Sequence, residues 1–265
     1  GQTLIILTAG IDLSVGAAAI LSSLVMAEVS AGMGMPGWLA LVAGGIVGLA
    51  AGALNGFLVT KVSLPPFIVT LATLSIFTAI ALLISGAKST SAKAMPPLLS
   101  WTGETFALGG FSITTGVLIV LVMYAVVAFA MTRTAWGTHV YPVGGDAEAA
   151  RLSGIRVSRV TMSVYLVAGL TYAVAAWVLI GRAGAATPNG IVDGNLQSIT
   201  AVVIGGTSLF GGRGGIGGTL LGALIVQSLT VGLSLAGVDA QYRLLAVGVL
   251  VLFAVALDQW FRKAR

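Results

Sequence analysis

Long apolar runs separated by short polar breaks organise this chain. Residues 3–9 read as the end of a helix, followed by the polar, glycine-bounded stretch Gly10-Ile11-Asp12-Leu13-Ser14-Val15-Gly16. Asp12 or Ser14 can cap a span over about 14–29. Residues 32–37, with Pro36, make a turn. Spans are expected over about 38–59 and 67–84, with Lys61, Pro65 and Pro66 marking the turn between them. The connection 86–112 carries Lys88, Lys93, Pro96, Pro97, Trp101 and Glu104 and suits a membrane interface. Further spans are expected over about 113–131, 160–180, 215–235 and 242–260. Each full run approaches the ~20 residues that a bilayer requires. The apolar segment 196–204 is shorter and reads as a broken helix, between a Gly/Pro/Asn loop (181–195) and a Gly-rich stretch (205–213). No natural start or signal peptide is visible, so an N-terminal portion with at least one span is expected to be missing.

Two devices stand out. Gly44, Gly48, Gly52 and Gly56 fall at four-residue spacing, which puts a smooth groove on one helix face where another backbone can approach. Gly214, Gly218 and Gly222 repeat the spacing. The second device is the polar segment 133–159, RTAWGTHVYPVGGDAEAARLSGIRVSR. Gly144-Gly145 break the preceding chain and Asp146 suits an N-cap. Ala147, Ala149, Ala150 and Leu152 favour helix, Arg151 suits its C-terminal end, and Gly154 suits the C-terminal cap. Glu148 and Arg151 are i,i+3 neighbours. On physical grounds alone, a helix held by a soluble partner and an ordinary loop obeying charge bias are equally good readings of this segment.

Composition turns these runs into membrane spans. Apolar residues make up 57% of the 265 and charged residues 8%, against ~25% charged in soluble domains; mean hydropathy is +1.06. The fold expected is all-α, a polytopic helical membrane protein with 1–265 as one transmembrane domain. There is no cysteine, hence no disulfide, thiol nucleophile or Cys-based metal site. The net charge of +5 reports orientation rather than nucleic-acid binding. With 133–159 in the cytoplasm and sides alternating, Lys61, Arg133, Arg151, Arg156, Arg159, Arg213, Arg262, Lys263 and Arg265 fall inside. Only Lys88, Lys93, Arg182 and Arg243 fall outside. The assignment requires that 196–204 crosses.

The candidate chemistry is sparse. Residues 212–217 match GxGxxG, but a dinucleotide site needs a strand and a βαβ unit around it, so the match reads as accidental. No phosphate-loop sequence occurs, so ATP-driven transport would need a separate ATPase. His139, the sole histidine, has no carboxylates at ligand spacing and no metal site is expected. The acidic residues Asp12, Glu28, Glu104, Asp146, Glu148, Asp193, Asp239 and Asp258 all fall near breaks or helix ends, which argues against an ion-coupled transporter or an intramembrane hydrolase. Neutral polar groups remain for a solute: Asn55, Thr70, Thr73, Ser75, Gln197, Ser198, Thr200, Thr207 and Ser208. A lining of this kind suits an uncharged, hydrogen-bonding molecule, although such side chains commonly bond their own helix backbone.

The blocks Gly10–Gly16, Leu54-Asn55-Gly56 before Lys61, and Pro65-Pro66-Phe67-Ile68-Val69-Thr70-Leu71 resemble the permease subunits of ribose/xylose-type ABC importers. So do Gly144-Gly145 with 149–155, and Ile204-Gly205-Gly206-Thr207-Ser208-Leu209 through Gly211-Gly212. The resemblance covers the whole chain, except that the family's first span and most of its second are absent and Ala9 stands where a glycine is usual. Branched-chain amino-acid permeases are more distant, and their pattern is not seen in the first block. The resemblance implies a fold of about ten helices in the bacterial inner membrane and an importer of a ribose-, xylose- or hexose-like sugar. It also implies no catalysis in this subunit, ATP and Mg bound by a cytoplasmic ATPase partner, a periplasmic or lipid-anchored sugar-binding protein, and a second permease copy, identical or not.

The coupling residues it implies are Gly145, Asp146, Glu148, Ala149, Ala150, Arg151, Leu152, Ser153 and Gly154, within a cytoplasmic segment of about 133–159. Asn55, Phe67, Thr70, Gln197, Thr207 and Ser208 are the candidates for the substrate route. The rival reading is an ATP-independent facilitator or channel for small neutral solutes. Of the inverted repeat in the family's fold, only Gly52-Ala53-Leu54 against Gly222-Ala223-Leu224 is visible here.

Overall fold

A computed structural model describes residues 1–191 and 194–263. Asp193 and Arg265 therefore lie outside the described residues, as do the side chains of Asp258, Arg262 and Lys263. Twelve α-helices occur among the described residues, and six helical stretches are long and apolar enough to cross a membrane. The chain divides into two compact units.

The first unit comprises residues 12–126 and 161–192, with Gly1. It holds α2 (Val15–Ala27), which continues through a π-helical turn Glu28–Gly32, then α3 (Gly37–Thr60) and α4 (Pro66–Ser85). Most of α6 (Thr115–Arg133) and α9 (Val157–Ala183) belongs to it as well. Pro66 opens α4 at its first position, where no N–H is needed. Gly86, at φ +56°, closes it. These helices are apolar on all sides rather than along one stripe, as expected of helices facing both lipid and protein.

The connection 86–112 is folded. It contains α5 (Pro97–Ser100) and strand β1 (Thr90–Ser91), which pairs antiparallel with β4 (Ala185–Ala186). Strands β2 (Thr105–Leu108) and β3 (Phe111–Thr114) form a hairpin. Gly109 and Gly110, at φ +56° and +89°, turn it, as a two-residue hairpin loop requires. The Trp177 indole N–H donates to Leu98 O (2.9 Å), and its ring stacks on Trp101 at 6.1 Å. The 86–112 and 181–195 connections, placed on one side by charge, thus pair with each other. The strands are a local departure from an all-helical reading: 86–112 read as a polar connection, although Gly-Gly between alternating residues is a hairpin signal.

The second unit comprises residues 2–11, 127–160 and 193–265. It holds α1 (Gln2–Leu7), α7 (Ala135–Gly145), α8 (Ala147–Leu152), α10 (Gly194–Ile204), α11 (Ile216–Leu235) and α12 (Ala240–Lys263). Helix α7 is a correction: Gly144-Gly145 do not break the preceding chain, because the helix runs through both and admits Pro142 inside it. At 11 residues, α10 covers only ~16 Å, about half of a hydrocarbon core. Its Thr200, Ala201, Val202 and Val203 are buried, the setting in which a half-length helix is tolerated at membrane depth. The 205–215 loop after it lies against α7, where Tyr141 Oη donates to Gly214 O (3.2 Å). The two segments assigned to the inner side therefore meet.

Candidate coupling segment and polar interior

Helix α8 forms from its own caps. Asp146 takes an extended backbone (φ −156°, ψ 102°), and its Oδ1 accepts from the N–H groups of Glu148 (2.9 Å) and Ala149 (3.0 Å). At the other end Gly154 adopts φ +86°. Ile155 N donates to Ala150 O and Gly154 N to Arg151 O, each at 3.0 Å. This is the paired C-terminal cap that a left-handed glycine permits. Arg151 Nη2 reaches Glu148 Oε1 at 2.6 Å; the pair is solvent-exposed and contributes only ~0.3–0.5 kcal/mol. Ala150 is buried while Leu152 is 80% exposed. The result is a short, doubly capped helix presenting a basic, an acidic and a large apolar side chain outward.

The glycine faces are used inside each unit. On α3, a Cβ at Gly48 would collide with Gly169 O of α9, one at Gly52 with Tyr165 O, and one at Gly56 would stand 2.6 Å from Met162 Sδ. Gly44 instead receives the Met26 side chain of α2. On α11, Gly218 meets Gly205 O and Gly222 meets Ala201 O of α10. Gly214 does not belong to that face: it precedes α11, at φ +134°, with its Cβ position 2.6 Å from Thr207 Cα.

Sequence reasoning missed the principal polar cluster. Ser14 occupies the N-cap position of α2, but its side chain bonds no N–H of the first turn. Asp12 is fully buried, and its Oδ1 accepts from both the N–H and the Oγ of Ser14 (2.7 Å each). Its Oδ2 accepts from Tyr172 Oη of α9 (3.0 Å), and Asn55 Nδ2 of α3 donates to Ser14 Oγ (2.9 Å). Two blocks that carried the family resemblance, around Asp12 and around Asn55, are therefore one hydrogen-bonded cluster in the first unit. The available signal was a carboxylate in a break between apolar runs, in a chain with eight acidic residues.

The other route candidates are dispersed. Thr70 is buried and its hydroxyl donates to Pro66 O (3.0 Å), while Phe67 is half-exposed. In the second unit, Thr207 and Ser208 are buried in the 205–215 loop, and Gln197 lines a cleft with Thr230 and Arg243. Within 212–217, Gly212 and Gly214 adopt positive φ in a turn that leads into α11 at Ile216, with no strand before it. Among the described residues no group of three or more His, Cys, Asp or Glu could hold a metal.

Comparison with known proteins places this arrangement. The fructose import permease FrcC of Rhizobium meliloti is 46% identical over 265 residues, covering 99% of this chain and 74% of the relative. The ribose import permease RbsC of Bacillus subtilis (strain 168) is 39% identical over 259 residues, covering 98% and 79%. The D-allose transport system permease AlsC of Escherichia coli (strain K12) is 36% identical over 263, covering 99% and 79%. No solved structure matches. A family model described as "Branched-chain amino acid transport system / permease component" matches residues 1–255, and the chain belongs to that family of multi-pass membrane permeases.

Proposed function

We propose that this chain is the membrane-crossing subunit of an ATP-binding-cassette importer for a monosaccharide, with 146–154 as the segment through which a separate cytoplasmic ATPase acts. The carrying observation is α8: a cap at each end and a buried Ala150 fix the shape of six residues whose other side chains face outward, which suits insertion into a cleft of a partner. The relatives named for fructose, ribose and allose support the solute class. Neutral hydroxyls and amides such as Asn55, Thr70, Gln197, Thr207 and Ser208 suit such a solute. ATP and Mg²⁺ are held by the partner ATPase, a sugar-binding protein delivers the solute, and two identical permease copies flank the route. Transport proceeds by alternating access, as approach of the ATPases shifts α8 and the glycine-faced helices rock.

The test is tagged purification from native membranes. An ATPase subunit co-purifies, and replacing residues 146–154 with a flexible linker releases it. If the permease emerges alone and reconstituted vesicles pass sugars without ATP, the chain is a facilitator instead.

A further inference from the structure

Helix α8 leaves the second unit through a joint made of backbone. At the end of α7, Gly144 lies so close to Leu7 O that a Cβ there would overlap the oxygen, and it would stand 2.7 Å from Gly212 N. Gly212 N donates to Leu7 O (3.0 Å), supplying a partner for one of the carbonyls that the end of α1 leaves free. A Cβ on Gly212 would be 2.7 Å from Gly145 Cα; one on Gly211 would be 2.6 Å from Gly144 O and 2.8 Å from Ala9 N. Around these contacts Tyr141 Oη bonds Gly214 O, and the hydroxyls of Thr3 on α1 and Thr219 on α11 pair at 2.8 Å.

Side chains between helices can change rotamer and absorb a displacement; touching backbones have none to change. Asp146, the N-cap of α8, is bonded directly to Gly145. The three segments that meet here are the end of α1, the end of α7 and the 205–215 loop. Two of them lead into non-helical chain, where a small displacement can be taken up as a change of backbone angle. Resting on the importer reading, we infer that Gly144, Gly211 and Gly212 against Leu7 and Ala9 form a rigid transmission joint. ATPase-driven movement of α8 is delivered there to the end of α1 and to the 205–215 loop, and the three move as one body. Gly144 and Gly212 are positioning residues that touch neither solute nor ATPase.

The test uses the permease reconstituted in vesicles with its ATPase and binding protein. Gly144→Ala keeps the ATPase bound and hydrolysing but lowers coupled uptake roughly tenfold, while Tyr141→Phe, which removes one hydrogen bond and no packing, lowers it about twofold. Gly217→Ala, whose Cβ meets nothing within 4 Å, transports at the unaltered rate. The chain has no cysteine, so spin labels at Arg156→Cys, just beyond α8 and outside 146–154, and at Arg213→Cys, both exposed, report the distance from the end of α8 to the loop. That distance stays constant with and without nucleotide in the otherwise unaltered chain and becomes state-dependent with Gly144→Ala. A distance that changes with nucleotide in the unaltered background overturns the joint, as does uptake by Gly144→Ala at the unaltered rate. If Gly144→Ala does not fold, the label distance and Tyr141→Phe decide alone. Failure of the unaltered chain to hold an ATPase would refute the importer reading instead.

Discussion

Asp12 and Ala9 sit three residues apart and test different physics. The Asp12 carboxylate accepts three hydrogen bonds at zero exposure. Its replacement by alanine strands the Ser14 N–H and the Tyr172 hydroxyl, at ~1–3 kcal/mol for each group left buried and unpaired, and leaves the Ser14 hydroxyl with Asn55 alone. Asp12→Ala should therefore lower the unfolding temperature of detergent-purified protein sharply. Asp12→Asn, with a carbonyl for Ser14 and an amide that can donate to Tyr172 Oη, should leave it nearly unchanged; equal losses in both variants would show that the hydrogen bonds are not what holds the break. Ala9 adopts φ +59°, a conformation costing a residue with a Cβ roughly 1–2 kcal/mol. Glycine carries no such cost, so Ala9→Gly should stabilise by up to ~1 kcal/mol after the added unfolded-state entropy. A fall in unfolding temperature would contradict this account. At this scale the sequence announced the residue types but not their partners: Asp12 read as a cap because caps are local, whereas Tyr172 lies 160 positions away.

Elements were legible where pattern and punctuation agree. Helix α8 follows from Asp146 and Gly154, and α3 and α4 follow from apolar runs bounded by prolines. Helix α7 was not legible, because Gly144, Gly145 and Pro142 are breakers by propensity and only tertiary contact explains a helix through them. The glycine spacing on α3 predicted a face without its partner; that partner, α9, follows α3 by about a hundred residues. A distinction between neighbouring glycines follows from the geometry. Gly52→Ala drives a methyl into Tyr165 O and should cost ~1–3 kcal/mol. Gly45→Ala, with nothing within 4 Å of its Cβ, should be neutral or gain up to ~1 kcal/mol of helix propensity. Yields of monodisperse protein and unfolding temperatures compare the two directly; indistinguishable values would show that α3 and α9 are not packed through this seam.

For the molecule in its membrane, the charge bias supplies an expected orientation. The connections assigned outside are joined by β1 and β4, and those assigned inside by Tyr141 and the 205–215 loop. A membrane-impermeant maleimide applied to intact cells should label Lys88→Cys and leave Arg156→Cys unlabelled until the membrane is opened. With no native cysteine the background is blank, and the reverse pattern would invert the orientation. A crossing at α10 was not legible, since 11 residues satisfy neither the length rule for a span nor that for a loop.

The pairing of Thr90 with Ala186 also constrains how the protein is made. Ribosomes add roughly 5–20 residues per second, so the first strand waits on the order of ten seconds before its partner has even been synthesised. Within that interval α6 follows α4 out of the ribosome, and the strand edge between them must be shielded from pairing with other nascent chains. Biogenesis therefore gives the folded 86–112 connection a second duty: its own hairpin can mature early, while Thr90, Ser91, Leu98 and Trp101 wait for partners on or just after α9.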